Sequence, residues 1–148
     1  MLQDNKLGIV GVVPDAELYA VKVLDQNGRG KYSDIIAALE WAIDNNMDII
    51  NMSLGGMEYR QSFHEAVQHV TEARIIIVAA AGNAGEGNDN ILYPAKFPEV
   101  IAVGAIDDSF RLAGFSITTD FHGKLIAGWI GVGYNPQRCH IRGFPFSQ

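Results

Sequence analysis

The chain predicts an α/β fold, a parallel sheet with helices packed on both faces, and three observations carry that prediction. Short runs rich in β-branched residues alternate with stretches whose apolar residues recur at helical spacing. Strands separated by helices imply βαβ crossovers, and those place the strands parallel. Turn-forming glycines close the runs at Gly28-Arg29-Gly30, at Ser53-Leu54-Gly55-Gly56 and at Gly82-Asn83. In open α/β sheets these carboxyl ends are where ligands bind.

The elements follow in order. Leu18 to Leu24 is apolar and β-rich and ends at the turn run Asp25 to Gly30, so it reads as the first strand. Ser33 suits a helix N-cap, with Asp34 in the first turn where the helix dipole favours a negative charge. Ile35, Ile36, Leu39, Ala42 and Ile43 then share one face until Asn45-Asn46 ends the helix. Asp48 to Ser53 reads as a second, buried strand. Phe63, Ala66, Val67 and Val70 mark a second helix, with Ser62 and Glu65 at the capping-box spacing. Ile75 to Ala81 and Val100 to Ala105 supply a third and a fourth strand.

Composition bounds the function. The 148 residues are 48% hydrophobic and 19% charged, as in ordinary globular proteins. A net charge of -6 leaves no basic stripe for nucleic acid. No apolar run approaches the ~20 residues of a spanning helix, so no membrane contact is expected. The single Cys139 can make neither an internal disulfide nor a zinc site. The first residues show no secretory signal pattern, so the chain as written is expected to stay where it is made. Charge shifts near Ser116: residues 1–116 hold 16 acidic and 8 basic side chains, and 117–148 hold 1 and 3. With Gly123, Gly128, Gly131, Gly133 and Gly143 and little periodicity, 117–148 reads as an atypical tail beside a domain at 1–116.

Several motifs reduce to bland readings. Gly28-Arg29-Gly30-Lys31-Tyr32-Ser33 follows a strand and opens a helix, yet lacks the phosphate-loop spacing. Gly82-Asn83-Ala84-Gly85-Glu86-Gly87 has the wrong order for a dinucleotide fingerprint. Asn51-Met52-Ser53 matches a glycosylation sequon but lies in an apolar strand. His64 and His69 show no acidic or cysteine partner at ligand spacing and read as surface histidines, while His122 and His140 have no motif around them. No serine stands in a nucleophile turn. Asn83 is different, because a strand ending in Ala79-Ala80-Ala81-Gly82 delivers its amide to the ligand end of the sheet.

Taken together, these segments resemble the subtilisin family of serine proteases. The similarity is carried by G-I-V-G-V-V-P-D-A-E-L-Y-A-V-K-V-L (8–24) and A-L-E-W-A-I-D-N-N-M-D-I-I-N-M-S-L-G-G (38–56). It continues through V-A-A-A-G-N-A-G (78–85), Y-P-A-K-F-P-E-V-I-A-V-G-A (93–105) and F-S (115–116). The resemblance implies that Asn83 is the oxyanion donor. It also implies that Ser53, Leu54 and Gly55 pair with an extended peptide or protein substrate and line the main pocket, with Ala80, Ala81 and Gly82 as its other wall. Gly28, Arg29 and Gly30 would form a second pairing edge, and Tyr32, Ile35 and Leu54 a further apolar subsite. Leu92 stands where the family commonly has glycine and would make the main pocket shallower, and Tyr93-Pro94 matches a bond often cis. Asn5, with carbonyls of Gln3, Leu7 and Ile9, matches part of a calcium loop whose other ligands lie upstream, so no ion is expected in this chain.

The departures from the family shape the expected activity. The D-T-G, H-G-T-H and G-T-S-M-A segments that carry the catalytic Asp, His and Ser do not occur in this sequence. The resemblance thus implies the central part of a three-layer subtilisin-like domain, truncated at both ends. Such a part is a serine endopeptidase by family and catalytically silent by itself, or else a non-catalytic peptide-binding pseudo-protease. A sheet cut on both sides is also expected to be marginally stable or to aggregate. Whether the parent protease is secreted or intracellular stays open.

Overall fold

Backbone and side-chain geometry come from a computed structural model. It describes residue 13, residues 15–85, 91–107 and 111–117, and the backbone of 125–129. The chain divides into two units, residues 1–30 with 132–148 and residues 31–131. In the second unit the described elements run α1 Tyr32–Asp44, β1 Ile49–Met52, α2 Gln61–Glu72, β2 Ile76–Ala80, β3 Ile101–Ile106 and β4 Leu125–Trp129. The strands form one sheet in the order β1-β2-β3-β4. Every ladder is parallel, with Ile49 opposite Ile76, Ala79 opposite Ala102 and Gly104 opposite Ala127. The α/β fold with a parallel sheet and helices is as the sequence predicts.

Helix α1 forms where the apolar spacing is helical, and it buries Ile35, Leu39 and Ala42. Helix α2 buries Phe63, Ala66, Val67 and Val70, and the two helices pack on each other, α2 also meeting β2. Leu39, Phe63, Val67 and Val70 are all but inaccessible, and each contributes about 1.5–3 kcal/mol by leaving water. On β2 the alternation buries Ile77 and Ala79 while Ile76 stays 49% exposed. Ile49, its partner on β1, is 62% exposed.

Three readings need correction. Leu18–Leu24 forms no strand among the described residues; β-propensity makes a ladder only where a neighbouring strand offers its hydrogen bonds. Neither helix begins at its serine. Lys31 and Arg60 occupy the N-cap positions in extended backbone, without side-chain caps. The Ser33 hydroxyl turns to Asp34, and Glu65 bonds Gln61, so local side-chain pairs displaced the capping geometry. His64 is no surface histidine: its side chain is 21% exposed and partnered by Glu99, an acid 35 positions away that local spacing cannot reveal. His69 is exposed.

Two stretches carry more structure than their sequence suggests. Strand β4 comes from Leu125–Trp129, where no element was expected, and Ile117 is a buried core residue. In β1 and β2 the observed bounds lie one residue or so inside the expected runs, where the ladder stops.

Candidate functional site

In the first unit, Gly28, Arg29 and Gly30 form an exposed turn organised by Asp25. The Asp25 Oδ1 accepts the backbone N–H groups of Asn27 at 2.8 Å and Arg29 at 2.9 Å. Those backbone donors, Arg29 first and then Asn27, hold the Asp25 carboxyl below the usual aspartate range. Gly28 sits at φ +73°, and a Cβ on Gly30 would stand 2.4 Å from the Val23 carbonyl oxygen. Glycine is favoured at Gly28 by its conformation and demanded at Gly30 by the close approach of that carbonyl.

The second unit gathers most of the other expected residues at the carboxyl ends of β1 and β2. Ser53, Leu54 and Gly55 run on beyond the last ladder pair, Met52 with Ala79, as irregular chain. Gly56 then exchanges both backbone hydrogen bonds with Tyr93, at 3.0 and 2.8 Å. Ala80 is exposed, Ala81 fully buried and Gly82 half-buried. Ala81 takes the Leu92 N–H on its carbonyl at 3.0 Å and donates its own N–H to Val103 at 2.9 Å.

Leu92 is the side chain that joins the two walls. A Cβ added to Gly55 would lie 2.7 Å from the Leu92 Cβ, and one added to Gly82 would lie 3.1 Å from the Leu92 Cγ. Leu92 therefore occupies the space that side chains at positions 55 and 82 would need. The Tyr93-Pro94 peptide is cis.

Asn83 follows Gly82, which holds φ +123°, and is solvent-exposed. Its turn is anchored from behind by residues 111–117. The Gly85 N–H donates to the Phe115 carbonyl at 3.0 Å, and the Ile117 Cδ1 sits 2.7 Å from where a Gly82 Cβ would be. Ser116 is buried, and its Oγ accepts the Ala105 N–H at 2.9 Å. That hydroxyl ties the end of β3 to the return segment, a structural role that no local motif announces.

The three residues expected at the further subsite differ in exposure. Tyr32 is half-buried, donates its hydroxyl to the Glu58 carbonyl at 3.2 Å and carries the Arg60 guanidinium over its ring. Leu54 is half-buried too, whereas Ile35 is a core residue of α1 with 7% exposure. Asn5 and its companion carbonyls lie outside the described residues, as do His122 and His140. Among the described residues no three His, Cys, Asp or Glu side chains come together to hold a metal, and no helix is long and apolar enough to cross a membrane.

Sequence reasoning missed a cluster beside this site. His64 and Gln68 of α2 both bond Glu99, and His64 stacks on Phe97 with ring centroids 4.2 Å apart. Partial burial pushes the Glu99 carboxyl up. The bonds from Gln68, its own backbone N–H and His64 outweigh that and leave it below the usual glutamate range.

Known proteins resemble this chain in sequence and fold. The Subtilase family model matches residues 1–120. Subtilisin E of Bacillus subtilis (strain 168) is 50% identical over 115 residues, which is 76% of this chain and 30% of that protein. Subtilisin DY of Bacillus licheniformis is 48% identical over 115 residues, covering 76% of this chain and 42% of its own length. Among solved structures, Sphericase superposes with a TM-score of 0.70 at 38% identity, over 76% of this chain and 40% of that one. The prenylagaramide maturation protease PagA superposes with a TM-score of 0.76 at 28% identity, over 86% and 47%. The chain thus spans less than half the length of these relatives. It belongs to the subtilase family.

Proposed function

We propose that this chain carries the peptide-binding and oxyanion-donating part of a subtilisin-like serine endopeptidase, and that by itself it binds extended peptides without cutting them. Subtilisin-family proteases act on peptide or protein substrates. The observation that carries the reading is the packing of Leu92 against Gly55 and Gly82 beside the exposed turn at Asn83. Chain running past the sheet at Ser53-Leu54-Gly55 suits β-type pairing with a substrate backbone. Leu92 would make the main pocket shallow, so a small side chain, alanine or glycine, would suit it better than an aromatic.

In this mechanism the Asn83 amide would donate to the oxygen that becomes negative as the carbonyl is attacked. Within the second unit, Tyr32 with Leu54 would supply an apolar subsite for the peptide. Hydrolysis would still need a nucleophile, a base and an orienting carboxylate, and the family segments that bear them do not occur in this sequence. Residues 1–116 form the peptidase part in this reading, and a calcium ion belongs to the full family domain.

The test is a titration of this chain with a fluorescent extended peptide bearing alanine at the residue before the scissile position. Saturable binding with no cleavage, weakened when that alanine becomes phenylalanine and restored by Leu92→Gly, is the expected result. Cleavage above background by the purified chain would sink the claim of silence. A peptide that never saturates would sink the groove.

A further inference from the structure

We propose that His64 and Glu99 are positioning residues that latch the pocket wall formed by Leu92 and Tyr93 onto helix α2. The inference rests on the groove reading for its purpose, though its geometry stands independently. His64 Nε2 lies 3.1 Å from both oxygens of Glu99, and Gln68 Nε2 donates to the same carboxylate at 3.0 Å. An ionised carboxylate only accepts, so Nε2 bears the proton. In the neutral ring Nδ1 then accepts from the Tyr59 hydroxyl, 3.3 Å away. Both nitrogens of one imidazole are thereby committed, one to the segment after the pocket wall and one to the loop before α2.

The contacts continue to the wall itself. The His64 ring stacks on Phe97 at an interplanar angle of 4°, and Phe97 packs against Tyr93 with centroids 4.8 Å apart. Tyr59 meets the Tyr93 ring edge-on at 5.7 Å. Tyr93 exchanges backbone bonds with Gly56, and its neighbour Leu92 sits between Gly55 and Gly82. Releasing Glu99 would leave Tyr93 tethered to α2 only through ring packing. Three other charged side chains on these segments have partners of their own. Arg60 pairs with Glu58, Glu65 takes the Gln61 amide, and Lys96 lies over the Tyr93 ring. Among the described residues, Glu99 and Tyr59 are the titratable groups bonded to His64.

A depressed carboxyl contributes stability that is present above its unfolded titration range and is lost as pH falls through the folded value. The latch should therefore hold at neutral and mildly acidic pH and open below the usual glutamate range.

Amide hydrogen exchange on the full chain tests this, comparing wild type with Glu99→Gln, a near-isostere chosen to keep the fold, and with His64→Phe, which keeps the stack and loses both bonds. Exchange at Gly56, Leu92 and Tyr93 should quicken about tenfold in either variant, the size of one lost bond to a charged group at a partly exposed site. Val67, Val70 and Ile77 should stay within about twofold of wild type, since local opening need not unfold the core. After correction for intrinsic exchange, wild-type protection should fall as the carboxyl is protonated, and that pH dependence should vanish in Glu99→Gln. Unchanged exchange at the three amides, or equal quickening in the core, would overturn the latch. Peptide affinity measured on the same samples separates the two ideas. A wild type that binds no peptide removes the groove reading, while the exchange pattern still judges the latch.

Discussion

The turn at Gly28 and the turn at Gly82 both follow apolar runs and both hold a glycine at positive φ, but they are built from opposite materials. Gly28 is fixed by its neighbours, since Asp25 gathers the Asn27 and Arg29 amides, and a Cβ on Gly28 would meet nothing within 4 Å. Gly82 is fixed by residues far along the chain, Leu92 and Ile117, which press against the space where its side chain would be. Gly28 can be lost at the cost of backbone strain alone, whereas Gly30 in the same turn meets the Val23 carbonyl oxygen. At Gly82 backbone strain is joined by side-chain displacement, since a Cβ there would push on buried Ile117 and half-buried Leu92.

The most severe way to break this comparison is Gly82→Ala. It combines an unfavourable φ of +123° with a 2.7 Å approach to Ile117, and it should lower stability by about 3 kcal/mol or more. A urea titration measures it, and a loss under about 1 kcal/mol would show that the wall yields readily. Next comes Gly55→Ala, where the new methyl meets the Leu92 Cβ at 2.7 Å. The expected loss is about 2 kcal/mol, and Leu92→Gly in the same chain should recover most of it. An equal loss with and without Leu92 would mean that the two residues do not share one space.

Ser116→Ala should cost about 1 kcal/mol, by leaving the Ala105 N–H without its acceptor at a partly buried position. The exchange rate of that one amide should rise with it. The smallest effect belongs to Gly28→Ala, about 1 kcal/mol or less from the left-handed backbone alone. If it matched Gly82→Ala in a thermal melt, the contrast between a local and a packed turn would be wrong.

Much of the fold is legible in the sequence because it is written in periodicity. Phe63, Ala66, Val67 and Val70 recur at helical spacing, and all four are buried. Ile77 and Ala79 alternate with exposed neighbours on β2, as a half-covered strand requires. The candidate site was legible as far as its glycines and Asn83, since a turn at the end of a parallel strand is a local signal. Leu18–Leu24 shows the limit in the other direction, having β-prone residues but no ladder among the described residues. Propensity states what a segment tolerates, and only a partner strand makes it a strand.

By itself the sequence determined both helices, strands β1 to β3, their order, the parallel sense of the sheet and the family, because each follows from patterns within a few residues or from motifs in a fixed succession. Tertiary structure alone decided that Leu92 stands between Gly55 and Gly82, that Ser116 closes β3, and that His64 meets Glu99. The physical reason is distance along the chain. His64 and Glu99 are 35 positions apart, and only the packing of α2 against the segment after the pocket brings an imidazole and a carboxylate to 3.1 Å.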